Sequence, residues 1–292
     1  MNFRKQIKTV AFALTALAAS GANAAIITQW TVGVDAVFLP DTIVDSNGNA
    51  PGGVTISNSD RRLRWGTGGQ SGLDITNSPI DTVVNTGIGT TLPPVPNVSL
   101  THTNNPINGA TLDKVSLAIA LTLTPLTPPL GALPATSTTF LIDFLETPNN
   151  DNPCANGGAN NSGVNSNGCG DIFVIGSDAL NFSFFYDTDG AGGDPEQEYF
   201  LSFVEATSGL NALSPAACLA ATGSNEPCLG FITPEKATTT FEFGALITTE
   251  RVVIDPDPDP DPDPNDVPEP GILALIGLGL AGLGGMRRRR NA

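Results

Sequence analysis

The segment from Asp187 to Glu198 has the clearest spacing of metal ligands in this sequence. Counting Asp187 as position 1, carboxylates stand at positions 1, 3 and 12 and glycine stands at position 6, as in a calcium-binding EF-hand loop. Position 5 is alanine, which removes one ligand, and the flanking segments have the composition of strands. We therefore predict a hairpin loop that binds Ca²⁺ weakly, or alternatively an ordinary Asp-Gly turn without metal. The proposed ligands are Asp187, Asp189, Asp194 and Glu198.

A short basic cluster is the second candidate site. Arg61, Arg62 and Arg64 are three of only six basic residues between positions 25 and 267, and Trp65 follows them directly. Guanidinium groups bind carboxylates, and an indole ring packs on the apolar face of a sugar. The cluster is therefore a candidate patch for an acidic polysaccharide. The alternative is that the arginines pair with carboxylates of this acidic chain.

His102 is the single histidine and stands in the segment Thr101-His102-Thr103-Asn104. The sequence nearby lacks the G-x-S-x-G nucleophile elbow that would suggest a catalytic triad. Threonine and asparagine side chains form local hydrogen bonds with the backbone, which favours a structural role. We expect His102 to fix the entrance to the strand that begins near Leu112. No catalytic constellation stands out, so we expect a protein that is not an enzyme.

Four cysteines form an even set without a C-x-x-C pair. Such cysteines form disulfides in oxidising compartments, and four of them allow three connectivities. We favour Cys154–Cys169 with Cys218–Cys228, because each pair encloses a short loop rich in turn residues. Closing a loop of about 15 residues stabilises a fold by about 3 kcal/mol in the chain-entropy model.

The elements that must position these residues have the composition of β-strands. Between residues 25 and 254, short runs rich in Val, Ile, Thr and Phe alternate with Gly, Pro, Asn and Asp, and no long helical periodicity occurs. We predict an all-β fold, a jelly-roll-like or Ig-like β-sandwich, over residues 25–254. The predicted strands cover residues 26–34, 53–56, 112–123, 138–145, 171–175, 180–186, 198–205, 238–243 and 245–254.

The Asp-Pro dipeptide is repeated five times directly after residue 254. Proline fixes the backbone φ angle and the aspartates repel one another, so this segment should be an extended polyproline-II spacer. We assign residues 255–266 to a linker that lies outside the folded domain.

The N-terminal end has the three parts of a secretory signal peptide, which we assign to residues 1–24. A basic start precedes the short apolar stretch Val10–Ala19, and a small-x-small cleavage site follows. Signal peptidase would cut there and leave Ala25 at the mature N-terminus. The residues that define the cleavage site are Ala22, Ala24 and Ala25.

The C-terminal end, residues 267–292, has the composition of a membrane-halting tail. It contains Pro268-Glu269-Pro270, an apolar run at 271–286 that predicts a single helix, and four arginines at 287–290. Arginines are costly to move through lipid and favour the cytoplasmic side, so the bulk of the chain should lie outside. A helix of this length spans about 24 Å, short of the roughly 30 Å hydrocarbon core, which favours temporary anchorage in the inner membrane.

This three-part tail resembles the PEP-CTERM sorting signal of Gram-negative bacteria. The resemblance implies recognition by an exosortase, which cuts near the Pro-Glu-Pro box. Thr101, His102 and Asn104 also match the T-H-x-N box of the THxN family of PEP-CTERM proteins, which implies a surface or matrix protein without an established activity. Further stretches similar to that family are Leu63–Thr67, Gln70–Leu73, Glu146–Asn149, Cys169–Val174 and Cys228–Phe231.

Charge limits the partners of the exported region. Residues 25–267 carry six basic and 28 acidic side chains, a field that repels nucleic acid. We expect a structural or interaction protein of the cell surface or of the exopolysaccharide (biofilm) matrix, with signal peptidase, exosortase and extracellular polysaccharide as partners. The alternatives are a carbohydrate-binding or adhesive module that uses the Arg61–Trp65 patch or the Asp187 loop, with or without calcium, and a glycan hydrolase with two catalytic carboxylates.

Overall fold

The structure is a computed structural model that describes residues 26–88, 92–176, 180–188, 197–207 and 209–252. The predicted signal peptide with Ala25, the Asp-Pro linker and the C-terminal tail lie outside the described residues, and these assignments stay predictions. Asp189 and Asp194 also lie outside them.

The described residues form fifteen strands and one α-helix. The strands are β1 (Gln29–Phe38), β2 (Val44–Asp45), β3 (Thr55–Ser57), β4 (Arg62–Trp65), β5 (Ser71–Asn77), β6 (Asp81–Gly87), β7 (Val95–Asn104), β8 (Leu112–Thr127), β9 (Thr136–Leu145), β10 (Asp171–Ile175), β11 (Asn181–Tyr186), β12 (Gln197–Glu205), β13 (Asn211–Ala212), β14 (Leu229–Thr233) and β15 (Ala237–Thr248). The helix is α1 (Pro215–Thr222).

The strands form two sheets that are joined at one point. The first sheet has the order β13-β14-β10-β9-β8-β1-β6, with β2 beside β8, and the second has the order β3-β4-β5-β7-β15-β12-β11. All pairings are antiparallel except a short parallel contact between β6 and β15. The all-β prediction is confirmed and the two sheets are consistent with a sandwich, whereas the jelly-roll-like or Ig-like subtype stays a prediction.

The core lies between the two sheets because alternate residues of each strand point to the same face. In β1 the inward positions are Trp30, Val32, Val34, Ala36 and Phe38, all at most 1 % exposed. Their cluster includes buried residues from both sheets, among them Phe140 of β9 and Phe203 of β12.

The strands between residues 62 and 104 were missed by the sequence prediction, which placed no strand there. In β7 the apolar alternation of Val98 and Leu100 continues as His102 and Asn104, which are polar but also fully buried. Because the pattern search depended on apolar residues at every second position, polar inward residues shortened the visible signal. The separately predicted strands 238–243 and 245–254 are a single strand, β15, with a register shift between Phe243 and Gly244.

Helix α1 covers the outer face of the first sheet. It begins at Ser214, whose hydroxyl accepts a hydrogen bond from the backbone N–H of Ala217, and it ends at Gly223 with a φ of 75°. Buried residues Ile172 and Val174 of β10 pack there with Ala217. Strand β10 is therefore buried on both faces. Among the described residues, no helix is long and apolar enough to cross a membrane.

Two disulfides fix the loops around this layer. They join Cys154 to Cys169 and Cys218 to Cys228, the two pairs that loop length favours. The first closes the loop that leads into β10, and the second ties α1 to the residue before β14. The structure therefore holds all four cysteines in disulfides.

Candidate functional site

The inward-facing positions of several strands change from apolar to polar at one end of the sandwich. In the first sheet, Phe173 of β10 lies opposite Phe144 of β9 and opposite Phe231 of β14. Two residues further towards this end, Asp171 lies opposite Thr233. The same step along β9 leads from Phe144 to Glu146. The antiparallel register therefore brings a carboxylate from β10 beside one that directly follows β9.

A third carboxylate joins these two from the connection between β14 and β15. Glu146, Asp171 and Glu235, hereafter the carboxylate cluster, each have an oxygen within 4.8 Å of the other two. Asp171 and Glu235 are 0 % exposed. Within the described part of the chain, none of the three forms an ion pair with a lysine or arginine. The cluster therefore places two fully buried acids and one partly buried acid together, and the neighbouring Lys236 is the cation whose charge acts on Glu235 without forming an ion pair.

Few donors reach the oxygens of the carboxylate cluster. The indole N–H of Trp65 donates to Glu146 Oε2 over 3.2 Å, and the backbone N–H of Thr147 donates to Asp171 Oδ1 over 3.0 Å. Asp171 Oδ2 and both carboxylate oxygens of Glu235 have no hydrogen bond within 3.5 Å among the described residues, although the side-chain amides of Asn149 and Asn104 lie near enough to Glu235 to act as weaker donors. Buried carboxylates without partners are costly, so this site needs neutralisation.

The acidity of the three groups reflects this burial. Loss of solvent raises the pKa of Glu146 to about 7, against the opposing hydrogen bond from Trp65. Burial also raises the pKa of Asp171 well above its usual value, with the Glu146 charge adding to the effect. It raises the pKa of Glu235 too, against weak hydrogen bonds from the amides of Asn149 and Asn104 and against the positive charge of Lys236. Either protons or a cation must balance the charge here.

His102 forms one wall next to this site. Its ring is 0 % exposed and stacks on Trp65 with a centroid distance of 5.9 Å and an interplanar angle of 17°. The Nδ1 atom lies 2.8 Å from Thr233 Oγ1, while Nε2 has no described partner. Burial lowers the pKa of His102 to about 3, so the imidazole is neutral at physiological pH.

The position of His102 differs from the expected one. It does not lie at the entrance to β8 but inside β7, between Leu73 of β5 and Thr239 of β15. The sequence suggested a turn because Thr and Asn surround the histidine, yet these residues alternate between the two faces of a strand. His102 therefore belongs to the core.

The T-H-x-N box is divided between the two faces of β7. Thr101 points away from the core and its hydroxyl lies 2.9 Å from that of Thr240. Asn104 points inward, is 0 % exposed, and donates through Nδ2 to the carbonyl of Thr233 over 3.3 Å. Its Oδ1 has no described partner. Only His102 and Asn104 therefore lie on the side of the carboxylate cluster.

Several stretches singled out in the sequence meet at this end of the sandwich. Trp65, Glu146, Asn149 and Asp171 come from three stretches that were noted for their resemblance to the THxN family, but no site role was assigned to the acids. Glu235 was missed altogether. A usable signal existed, because Glu146 follows the run Phe140–Leu145 and Asp171 precedes the apolar run Ile172–Ile175. An acidic residue directly before or after a hydrophobic strand segment is unusual, because acidic side chains are rarely buried, and it could have been noted as a candidate site residue.

The basic cluster of the sequence is paired within the molecule. Arg61 contacts Asp35 over 2.6 Å, while Arg62 and Arg64 both contact Asp74, over 2.6 and 2.5 Å. Trp65 is only 1 % exposed. Its ring offers no face to a sugar, which corrects the interpretation of Trp65 as a stacking residue. The internal pairing of the arginines was the alternative interpretation, and it is the arrangement that the structure shows.

The calcium loop predicted from the sequence joins strands β11 and β12. Strands β11 and β12 pair directly, with Tyr186 opposite Gln197, so the strand character of the flanks is confirmed. Asp187 is exposed and Glu198 lies within β12. Because Asp189 and Asp194 lie outside the described residues, calcium binding by this loop stays a prediction.

Comparison with known proteins identifies one part of the chain. Residues 266–290 match the family model described as the PEP-CTERM protein-sorting motif. No curated protein matches the chain. The matched segment contains the Pro-Glu-Pro box, the apolar run and the arginines. The motif supports a PEP-CTERM protein, which is exported to the cell surface and sorted by an exosortase.

Proposed function

We propose that this PEP-CTERM protein is a non-enzymatic structural or interaction component of the cell surface or of the extracellular polysaccharide matrix, of the THxN type. The observation that carries this proposal is the sorting motif at residues 266–290. After signal peptidase acts beside Ala24, the apolar tail would hold the chain in the inner membrane until an exosortase cuts near Pro268–Pro270. The product is an acidic β-sandwich with two disulfides, which suits an oxidising extracellular environment.

Burial of the polar site supports a role without catalysis. Asp171 and Glu235 are 0 % exposed, so a polysaccharide chain has no access to them in this structure. A glycan hydrolase instead needs two carboxylates on either side of a bond in an open cleft. The carboxylate cluster has three acids within 4.8 Å of one another and no room for a sugar between them. These features favour a structural site over a hydrolytic one.

A carbohydrate-binding or adhesive module is the second candidate function. One observation favours it: Phe185 on β11 is 51 % exposed, one residue away from the buried Tyr186 that leads into the predicted calcium loop. An exposed aromatic ring beside carboxylates is a common arrangement for packing on sugars. Glycan arrays with and without Ca²⁺ test this alternative, and a Phe185→Ser variant should lose any binding that depends on the ring.

Cell fractionation tests the leading proposal. We would compare the native protein with a variant in which Pro268, Glu269 and Pro270 are alanine, and with a control in which Pro260, Asp261 and Pro262 of the linker are alanine. The native protein and the control should accompany the extracellular polymer, whereas the first variant should remain in the inner membrane. Native protein that shows no association with envelope or exopolymer would contradict the proposal.

A further inference from the structure

We propose that the carboxylate cluster, together with Asn104 and Asn149, is a structural Ca²⁺ site built into the end of the β-sandwich. It is separate from the calcium loop predicted between Asp187 and Glu198. The proposal does not depend on the matrix function, since it concerns the folded domain alone.

The first argument is charge. Three carboxylates lie within 4.8 Å of one another, and two of them are 0 % exposed. Ionised acids at this distance repel one another strongly in a dry interior. No lysine or arginine among the described residues pairs with them. A divalent cation would balance this charge without requiring all three groups to stay protonated.

The second argument comes from amide oxygens. Asn104 is 0 % exposed and its Nδ2 is occupied by the Thr233 carbonyl, while its Oδ1 has no partner. Asn149 Oδ1 is also buried without a partner. Both amide groups lie beside Glu235, where they act as weak hydrogen-bond donors that lower its pKa, and this leaves their Oδ1 atoms without a donor of their own. Buried carbonyl oxygens without donors are rare, and two beside a carboxylate cluster indicate a ligand that accepts oxygen lone pairs.

The loop closed by the Cys154–Cys169 disulfide holds these groups in place. It covers the cluster with Gly168, which has a φ of 125°. A Cβ atom at this position would lie 2.6 Å from Asn149 Oδ1 and 3.2 Å from Glu235 Cγ. A side chain at residue 168 would therefore force Asn149 Oδ1 to move and would crowd Glu235. The absence of a side chain here lets the loop close over the site.

The chemistry of the donors selects the cation. The five side chains can coordinate a cation only through oxygen atoms, because an amide nitrogen is a donor of hydrogen bonds, and all four cysteines are held in disulfides. Hard oxygen donors bind Ca²⁺ or Mg²⁺ rather than the softer transition metals. Ca²⁺ accepts six to eight oxygens in irregular geometry and tolerates bidentate carboxylates, whereas Mg²⁺ requires a near-octahedral shell and keeps several waters. A crowded and buried set of three carboxylates and two amides suits Ca²⁺ better.

Thermal melting of the exported protein tests the site. With millimolar CaCl₂ in place of a chelator, we expect the melting temperature to rise by about 5 °C or more. Glu235→Gln should abolish this shift, because it removes one ligand charge. Glu242→Gln is the matched control, since Glu242 lies exposed on β15, and it should keep the full shift. An unchanged melting temperature of the native protein, or a full shift in Glu235→Gln, would overturn the proposal.

Terbium luminescence locates the ion independently of stability. Trp65 donates to Glu146, so Tb³⁺ bound in the cluster would lie next to that indole. Trp30 instead packs against Tyr186, at the start of the predicted calcium loop. We expect sensitised emission that disappears in Trp65→Phe, persists in Trp30→Phe and is displaced by CaCl₂. Emission that depends on Trp30 alone would place the ion in the loop and contradict the proposed site, as would displacement by MgCl₂ but not by CaCl₂.

Discussion

At the scale of single residues, His102 is a packing residue with one ring nitrogen hydrogen-bonded and the other, Nε2, buried without a described partner. Its ring contacts Trp65, Phe144 and Phe173, and its Nδ1 faces the Thr233 hydroxyl. The same ring is 0 % exposed, so it has no contact with solvent. These contacts explain why a histidine is buried in the core of this β-sandwich.

Truncation of His102 should therefore act through stability. Replacing a buried ring by alanine leaves a cavity and removes the aromatic contacts, so we expect His102→Ala to lower the free energy of unfolding by about 2–4 kcal/mol. Urea denaturation of the purified protein measures this change. Thr101→Ala, in the same motif but on the outer face, should cost less than about 1 kcal/mol. Equal effects of the two variants would contradict the packing role.

The lowered pKa of His102 also predicts a pH dependence. The unfolded chain binds a proton at His102 below about pH 6.5, whereas the folded protein does so only near pH 3. Stability from this residue is therefore present above pH 6.5 and is lost as the pH falls towards 3. The three acids of the carboxylate cluster lie near His102 and also titrate. Because they are present in both the native protein and a His102 variant, their contribution cancels when the two proteins are compared.

The comparison of native protein with His102→Gln in excess chelator isolates this effect. Between pH 7 and pH 4, the free energy of unfolding of the native protein should fall more steeply than that of the variant. Parallel curves for the two proteins would show that His102 does not titrate on unfolding.

At the scale of elements, the loop between β9 and β10 contributes both to folding stability and to the proposed Ca²⁺ site. Its disulfide has a sequence separation of 15 residues, and Asn149 and Asp171 lie just outside its two ends. We expect the double variant Cys154→Ala/Cys169→Ala to lose about 3 kcal/mol of stability. It should also lose most of the Ca²⁺-dependent melting shift, because Asn149 and Gly168 would no longer be held over Glu235.

The second disulfide provides the control. Cys218→Ala/Cys228→Ala removes a bridge with a separation of 10 residues between α1 and β14. This variant should be destabilised but should respond to Ca²⁺ as the native protein does. If both double variants kept the shift, the loop would have no part in holding the proposed ligands.

Some strands could be predicted from the sequence, whereas the helix and several other strands could not, and the reasons are physical. Strands with apolar alternation, such as β8 and β9, were predicted near their observed bounds. Helix α1 was missed because its eight residues are too short to show a helical period, although Ser214-Pro215 and Gly223 are recognisable capping residues. Strands β5 to β7 were missed because polar residues occupy some of their inward positions. Strand β4 has the apolar inward residues Leu63 and Trp65 but is only four residues long.

The candidate site was harder to predict than the strands. Its acids come from residues 146, 171 and 235, and only the register of three neighbouring strands brings them together. The sequence pointed instead to Asp187–Glu198, where the acids are close along the chain. The spacing of residues along the sequence therefore indicated the loop Asp187–Glu198. It could not indicate the carboxylate cluster, whose acids are brought together only by strand pairing.

At the scale of the whole molecule, the two ends and the middle of the chain have different physical roles. The PEP-CTERM motif at residues 266–290 supports sorting by an exosortase, and the N-terminal apolar segment is predicted to direct export. The middle carries most of the acidic side chains and both disulfides. Such a surface favours solubility and attracts cations outside the cell.

Mass spectrometry of the protein recovered from outside the cell tests this account most directly. We expect a chain that begins at Ala25, ends near Pro268–Pro270 and has all four cysteines oxidised in the pairs Cys154–Cys169 and Cys218–Cys228. An intact chain of 292 residues with free thiols, found in the cytosol, would contradict export and sorting.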